Sequence, residues 1–147
     1  MASDDNWSLP AWTYFDAEYY SVEMARLLRP SWQVVCHLSD IANAGDWHTL
    51  EFLGESVLVI RGDDGAVRAF TNVCRHRASR LVNDTSGCTK RFTCPYHGWT
   101  YGLDGRLIGV PNRSDYPELD VEAHGLAPVE LEVWRGFVFV RLFAGGP

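Results

Sequence analysis

One segment of the sequence decides the fold: residues 74–99 read CRHRASRLVNDTSGCTKRFTCPYHGW. It contains two short pairs of metal-binding side chains, Cys74 with His76 and Cys94 with His97, and 17 residues separate the pairs. A zinc site usually groups its ligands by type, with cysteines in one pair and histidines in the other. Here each pair mixes one thiolate with one imidazole, and that mixture predicts a different kind of centre.

Mixed pairs suit a binuclear iron centre in which one iron binds both cysteines and the other binds both histidines. Each pair would lie at the tip of its own hairpin loop, and the two tips would face each other across the metal. A single cysteine or histidine is more often a core or surface residue than a ligand. Four of them at this spacing favour a metal site. A zinc-stabilised interaction module is the alternative that uses the same four residues.

The sequence around both pairs resembles the Rieske family, in which proline follows the second cysteine and glycine follows the second histidine, as Pro95 and Gly98 do here. Residues 72–77 (NVCRHR), 94–101 (CPYHGWTY) and 103–107 (LDGRL) also resemble the large subunits of ring-hydroxylating oxygenases. The similarity runs from about residue 9 to the C-terminus. It implies a Rieske 2Fe-2S cluster held by Cys74, His76, Cys94 and His97. It also implies that the following residues surround the cluster: Arg77, Ser79, Pro95, Tyr96, Gly98 and Trp99.

The chain beyond Pro30 is typical of antiparallel β-structure, because short apolar runs alternate with turn signals such as Asp64-Gly65 and Asp104-Gly105. We predict a mainly β fold, a Rieske-type antiparallel β-sandwich or barrel with two cluster-binding hairpin loops and a short N-terminal helix. The predicted strands are 32–37, 47–53, 57–60, 67–73, 91–94, 99–101, 106–108, 129–134 and 137–142. The polar segment 83–90 is expected to be a loop that carries Cys88.

The N-terminal part of the chain predicts an irregular arm over residues 1–15 and then a helix. Asp16 can cap the helix and Pro30 ends it. Apolar residues recur at helical spacing and predict a packed face: Ala17, Tyr20, Met24, Leu27 and Leu28. The expected organisation is therefore an arm and helix over 1–31 and a Rieske domain over 32–147, with cluster loops at about 72–101.

The composition excludes several classes of function. The net charge of −6 argues against general nucleic-acid binding. No apolar run approaches the length of a membrane span, and residues 1–6 lack the features of a signal peptide, so we expect a cytoplasmic protein without membrane contact. Cys36 lies in an apolar run and is expected to be a buried core residue. A reducing compartment suits all four cysteines.

A Rieske oxygenase also needs a mononuclear iron bound by two histidines and a carboxylate. The remaining histidines, His37, His48 and His124, do not form the corresponding motif. The sequence also ends where the family's catalytic domain would begin. We therefore predict the electron-transfer domain of a large subunit, with mononuclear Fe(II) expected only in an absent catalytic domain. A stand-alone Rieske ferredoxin is the alternative, although the N-terminal helix argues against it.

The resemblance also implies partners and a redox range. The expected electron donor is a ferredoxin or a flavin reductase, the acceptor is a catalytic oxygenase domain or subunit, and the full-length protein is a candidate homo-oligomer. High-potential relatives have a disulfide between the loops and a serine near the cluster, whereas Ser79, Tyr96 and Trp99 stand at those positions here. The potential should therefore lie toward the low end of about −150 to +300 mV. Four basic residues are candidates for partner docking, with solvated side chains or ion pairs as the alternative: Arg75, Arg80, Lys90 and Arg91.

Overall fold

A computed structural model of the protein describes residues 8–142, and ten β-strands in this range form two antiparallel sheets. The strands are β1 (Gln33–His37), β2 (Asp46–Phe52), β3 (Glu55–Arg61), β4 (Val67–Thr71), β5 (Ser86–Cys88), β6 (Phe92–Thr93), β7 (Thr100–Tyr101), β8 (Leu107–Gly109), β9 (Pro128–Trp134) and β10 (Phe137–Arg141). The large sheet has the order β1-β10-β9-β4-β3-β2-β5, and the small sheet has the order β6-β7-β8. The predicted mainly β, antiparallel fold is confirmed.

The central strand β3 explains how the two sheets share a core. Its residues Val57 to Ile60 are completely buried because both faces of this strand are covered. Successive side chains point to opposite faces of a strand. Val57 and Val59 therefore enter the core formed with β1 and β10, while Leu58 and Ile60 enter the core shared with the small sheet. Cys36 is buried in the first of these cores, as predicted, and burial raises the pKa of its thiol to about 11.

The two predicted ligand loops are hairpins, one on each sheet. The first follows β4, and a bridge between Val73 and Arg80 closes it. The second joins β6 to β7, whose pairing of Thr93 with Thr100 closes it. The position of the small sheet on the large sheet therefore sets the distance between the loops.

The turn at Asp104-Gly105 helps to fix that position. It connects β7 to β8 and brings the backbone of Gly105 against the ring of Phe70 in β4, where an added Cβ atom would lie 2.5 Å from the ring. The carbonyl of Gly105 also accepts a hydrogen bond of 2.8 Å from the Leu126 amide. The glycine is required both by its positive φ of 83° and by this close approach.

The N-terminal helix α1 (Ala17–Glu23) forms as predicted, and Asp16 caps it by accepting a hydrogen bond of 2.7 Å from the Tyr19 amide. A π-helical turn (Met24–Leu28) continues it up to the predicted end. The expected packing of its apolar face is wrong for Ala17, Tyr20 and Leu27, which are exposed, the last two to 54% and 58%. The reason is that no strand of the described chain packs closely on this helix.

Three further short helices are of the 3-10 type: Ala11–Tyr14, Arg113–Asp115 and Glu122–His124. The segment expected to be a polar loop contains the edge strand β5, which pairs with β2 and includes the exposed Cys88. Residues 1–7 of the predicted arm and residues 143–147 lie outside the described range. Within it, no helix is both long and apolar enough to span a membrane.

We predict that Gly105→Ala destabilises the fold more than the matched change Gly65→Ala. Both glycines follow an aspartate in a hairpin turn and have positive φ, but an added Cβ meets Phe70 at Gly105 and nothing within 4 Å at Gly65. Gly65→Ala should cost about 1 kcal/mol for the backbone conformation. Gly105→Ala should cost roughly 1–3 kcal/mol more for overpacking. Equilibrium urea denaturation measures both costs, and equal costs would contradict this role of the turn.

Candidate metal centre

The two ligand loops have the same backbone construction. The Cys74 amide donates to the Ser79 carbonyl at 2.8 Å, and the Cys94 amide donates to the Trp99 carbonyl at 2.8 Å. The carbonyl of each cysteine in turn accepts a 3.0 Å hydrogen bond from the residue four positions later, Ala78 or Gly98. Both of these residues have positive φ, 53° and 73°. Two loops of one shape therefore present a cysteine at the base and a histidine near the tip.

The four candidate ligands are sorted by type. Cys74 and Cys94 are each only 2% exposed and share a side-chain hydrogen bond. His76 and His97 lie farther out, with ring centroids 4.7 Å apart and His97 exposed. Thus the structure brings together all four predicted residues, with the sulfur atoms in the core and the imidazoles toward the surface.

No three His, Cys, Asp or Glu side chains among residues 8–142 converge as the ligands of a single ion. An arrangement of two thiols and two imidazoles in separate pairs suits two irons, each with two protein ligands.

The environment of one nitrogen atom of His76 supports a metal site independently of the sequence motif. His76 Nδ1 is a buried polar atom that has no hydrogen-bond partner among residues 8–142. Such atoms are rare because desolvation without a partner is unfavourable. Burial, together with the positive charges of His97 and Arg77, lowers the pKa of His76, which favours the neutral imidazole that binds a metal.

The ring of His76 is held between aromatic side chains. Trp99 stacks on it nearly in parallel, with 4.7 Å between centroids and an interplanar angle of 8°. Tyr116, from the loop that follows β8, meets the His76 ring edge-on at 6.1 Å. His97 has a different environment: its side chain is exposed, and the exposed ring of Tyr96 lies beside it with 3.8 Å between the ring centroids. One imidazole is therefore covered and the other is accessible.

Tyr101 is a site residue that the sequence analysis missed. Its side chain is completely buried, and its hydroxyl lies 3.3 Å from Cys74 Sγ. The same oxygen accepts a hydrogen bond of 3.0 Å from the Arg75 amide, which leaves the hydroxyl proton free to point at the sulfur. Burial and the hydrogen bond to Cys74 raise the pKa of Tyr101, so it remains a donor. The sequence placed Tyr101 in a strand, and only its tertiary position reveals this contact.

The two thiols differ in their surroundings. Burial raises the pKa of Cys74, and the neighbouring Cys94 adds to the effect. Burial also opposes ionisation of Cys94, but hydrogen bonds from the Tyr96 and His97 amides and contacts with Cys74 and Ser79 outweigh it and lower its pKa. The second loop therefore favours a thiolate through its own backbone, which is the form that binds iron.

The remaining predicted residues are placed as follows. Pro95 is exposed in the second loop, and an added Cβ at Gly98 would lie 3.0 Å from Pro111. Arg75, Arg77 and Arg91 are exposed. Arg80 forms an ion pair of 2.8 Å with Glu51. Lys90 lines a surface cavity with Asp64 and Asp104, away from the loop tips. Of the four candidate docking residues, Arg80 is therefore paired with a carboxylate of β2, and Lys90 lies beside a different set of side chains.

The family model described as Rieske [2Fe-2S] domain matches residues 31–128. The carnitine monooxygenase oxygenase subunit of Escherichia coli is 39% identical over 136 residues, which cover 92% of this chain and 36% of that protein. The glycine betaine monooxygenase oxygenase subunit of Pseudomonas aeruginosa is 37% identical, with 98% of this chain and 33% of that protein covered.

A solved structure of another oxygenase is also similar to this chain. The naphthalene 1,2-dioxygenase of a Rhodococcus species, in a crystal with bound indole, superposes with a TM-score of 0.89 at 33% identity, covering 97% of this chain and 33% of that chain. The present chain therefore spans about a third of the length of these relatives, which are oxygenase subunits. The family match, the identities and the shared structure agree with the paired ligand loops, and the chain belongs to the Rieske 2Fe-2S domain family.

Proposed function

We propose that Cys74 and Cys94 bind one iron of a Rieske 2Fe-2S cluster and that His76 and His97 bind the other. The observation that carries this proposal is the paired arrangement of two buried sulfur atoms and two outer imidazoles on loops of equal shape. The buried His76 Nδ1, which has no hydrogen-bond partner among the described residues, supports the proposal, because a bound iron would be the partner of this nitrogen. When bound, the cluster accepts and donates single electrons.

The protein's own residues control how that cluster is held. Trp99 and Tyr116 restrict the His76 ring and exclude water from it. Tyr101 donates toward Cys74 Sγ. His97 remains exposed beside Tyr96, and we propose that this side of the loops is the place where an electron-transfer partner approaches.

We propose that the domain passes electrons from a ferredoxin or flavin reductase toward the mononuclear iron of an oxygenase catalytic domain. The support is that the similar oxygenase subunits are about three times as long as this chain. The relatives include a carnitine monooxygenase, a glycine betaine monooxygenase and a naphthalene 1,2-dioxygenase, so they do not select one substrate. We further propose a homo-oligomeric full-length protein in the cytoplasm, where unbridged cysteines remain reduced.

We predict that the chain purified without oxygen is red-brown and contains two irons and two acid-labile sulfides. Cys74→Ser and Cys94→Ser should each abolish the visible absorbance, because a serine replaces an iron ligand. Cys88→Ser should retain it, since Cys88 is exposed on the edge strand β5. Metal analysis with absorbance spectroscopy tests this; one zinc per chain, or loss of the cluster in Cys88→Ser, would overturn the ligand assignment.

A second prediction concerns redox tuning. Reduction increases negative charge at the cluster, so a donor to its cysteine sulfur stabilises the reduced form more than the oxidised form. Hydrogen bonds to charged acceptors contribute roughly 1.5–3 kcal/mol. Only the difference between redox states counts, and about 59 mV corresponds to a tenfold change for one electron. Tyr101→Phe should therefore lower the potential by several tens of millivolts.

Protein-film voltammetry measures this shift, and Tyr96→Phe is the matched control because it removes a hydroxyl from a tyrosine that is 64% exposed. We expect the control to keep the native potential. An unchanged or higher potential in Tyr101→Phe would show that the hydroxyl does not donate to Cys74.

A third prediction separates electron transfer from oxygenation. The reduced chain should pass electrons to a one-electron acceptor and form no hydroxylated product from an aromatic compound or an amine. The reason is that the remaining histidines, His37, His48 and His124, do not form the motif of a mononuclear iron site. Stopped-flow reduction of the acceptor and chromatography of products test both halves, and oxygen-dependent product formation would contradict the assignment.

A further inference from the structure

The side chain of Asn72 joins the two ends of the first ligand loop. It is completely buried, two residues before Cys74. Its Nδ2 donates to the Val82 carbonyl at 2.8 Å, and its Oδ1 accepts from the Val82 amide at 3.1 Å. The amide side chain thus pairs with both backbone groups of one residue, as a peptide unit does in a sheet.

The backbone of Asn72 explains why a side chain takes this role. Its amide N–H donates to the Ser56 carbonyl of β3 at 2.9 Å, and its carbonyl accepts from the Leu81 amide at 3.4 Å. The backbone therefore bonds to the large sheet on one side and only weakly to the returning loop on the other. The side-chain bonds to Val82 supply the missing connection, so three segments of the chain meet at Asn72.

Further contacts form a closed circuit of polar groups that consists of Asn72, Ser56, Glu51, Arg80 and Val73. Asn72 Nδ2 also donates to Ser56 Oγ at 3.0 Å, and Ser56 Oγ donates to Glu51 Oε1 at 2.5 Å. The other carboxylate oxygen of Glu51 accepts from Arg80 Nη2 at 2.8 Å. Arg80 pairs with Val73, so the circuit returns to the loop at which it began. The Asn72 amide uses both of its N–H donors, and removal of either would leave a buried partner unsatisfied.

The second loop is joined at its base in a different way. Thr93 pairs with Thr100 through the backbone, the hydroxyls of these residues lie 3.1 Å apart, and the Thr100 hydroxyl donates to the Gly98 carbonyl at 3.0 Å. The first loop is therefore the one whose two ends are joined through a buried amide side chain, that of Asn72.

We propose that Asn72 is a positioning residue that fixes the first loop so that Cys74 and His76 meet the ligands of the second loop. This inference rests on the proposed function, since it assumes that both loops hold one cluster. Outer groups that orient metal ligands usually change metal affinity 10–100-fold when they are removed. Loss of the Asn72 bonds should loosen the loop and make the cluster easier to remove.

The test compares iron release and electron paramagnetic resonance in cluster-loaded chains. Asn72→Asp keeps the size of the side chain and removes both donors. Ser56→Ala removes the hydroxyl that accepts from Asn72 and donates to Glu51, but leaves the Asn72 bonds to Val82 in place. In the presence of an iron chelator, we expect Asn72→Asp to release iron about tenfold faster than the native chain, and Ser56→Ala to fall between them. The resonance of the reduced cluster should broaden in the same order, because a loosened loop adopts more than one geometry.

Val138→Ala is the control for general loss of stability. Val138 is completely buried, but it lies in the core formed with β1 and β10, away from the ligand loops. It should lower the free energy of unfolding and leave both the release rate and the resonance native. If Asn72→Asp does not accumulate a cluster, Ser56→Ala carries the comparison.

Two results would overturn the inference. One is native release and a native resonance in both circuit variants; the other is equal changes in Val138→Ala. A native chain without iron would instead overturn the proposed function, and the inference with it. A native chain that holds the cluster, together with native iron release and a native resonance in both circuit variants, overturns the inference alone.

Discussion

A single hydroxyl group links the two ligand loops through the protein itself. Tyr101 belongs to the strand that leaves the second loop, yet its oxygen contacts the sulfur of Cys74 and the amide of Arg75 in the first. The contact depends on the small sheet lying in one position on the large sheet. That position is fixed by the shared core and by the close approach of Gly105 to Phe70. The geometry of the proposed cluster site is thus a consequence of sheet packing.

The two ligand loops are closed by the same pattern of backbone hydrogen bonds, but their surroundings differ. The first is tied to β3 through Asn72 and is covered by Trp99 and Tyr116. The second presents His97 at the surface. A rigid, shielded side keeps ligand geometry constant between redox states. An accessible side shortens the path to a partner, which suits a domain that exchanges single electrons.

Much of this could be predicted from the sequence, because its signals are local. Turn dipeptides and apolar runs located most strands, and Asp16 marked the start of the helix. Three features could not be predicted in the same way, because each depends on a distant segment or on the shape of a loop. They are the hydrogen bond from the Tyr101 hydroxyl to Cys74, the positive φ of Ala78 and the edge strand β5. The prediction that the apolar face of the helix is packed was wrong, because periodicity indicates an apolar face but does not identify what covers it. The ion pair of Arg80 likewise depends on a carboxylate far away in the sequence, that of Glu51.

The central claim is that one iron has two cysteine ligands and the other has two histidine ligands. Pulsed electron paramagnetic resonance of the reduced chain, prepared with nitrogen-15 in its histidines, tests it most directly. We expect couplings from two histidine nitrogens, one of which comes from His76 Nδ1 and is lost when His76 is replaced, while the coupling from His97 remains. A cluster without nitrogen couplings, or one that keeps both couplings in the His76 variant, would contradict the assignment.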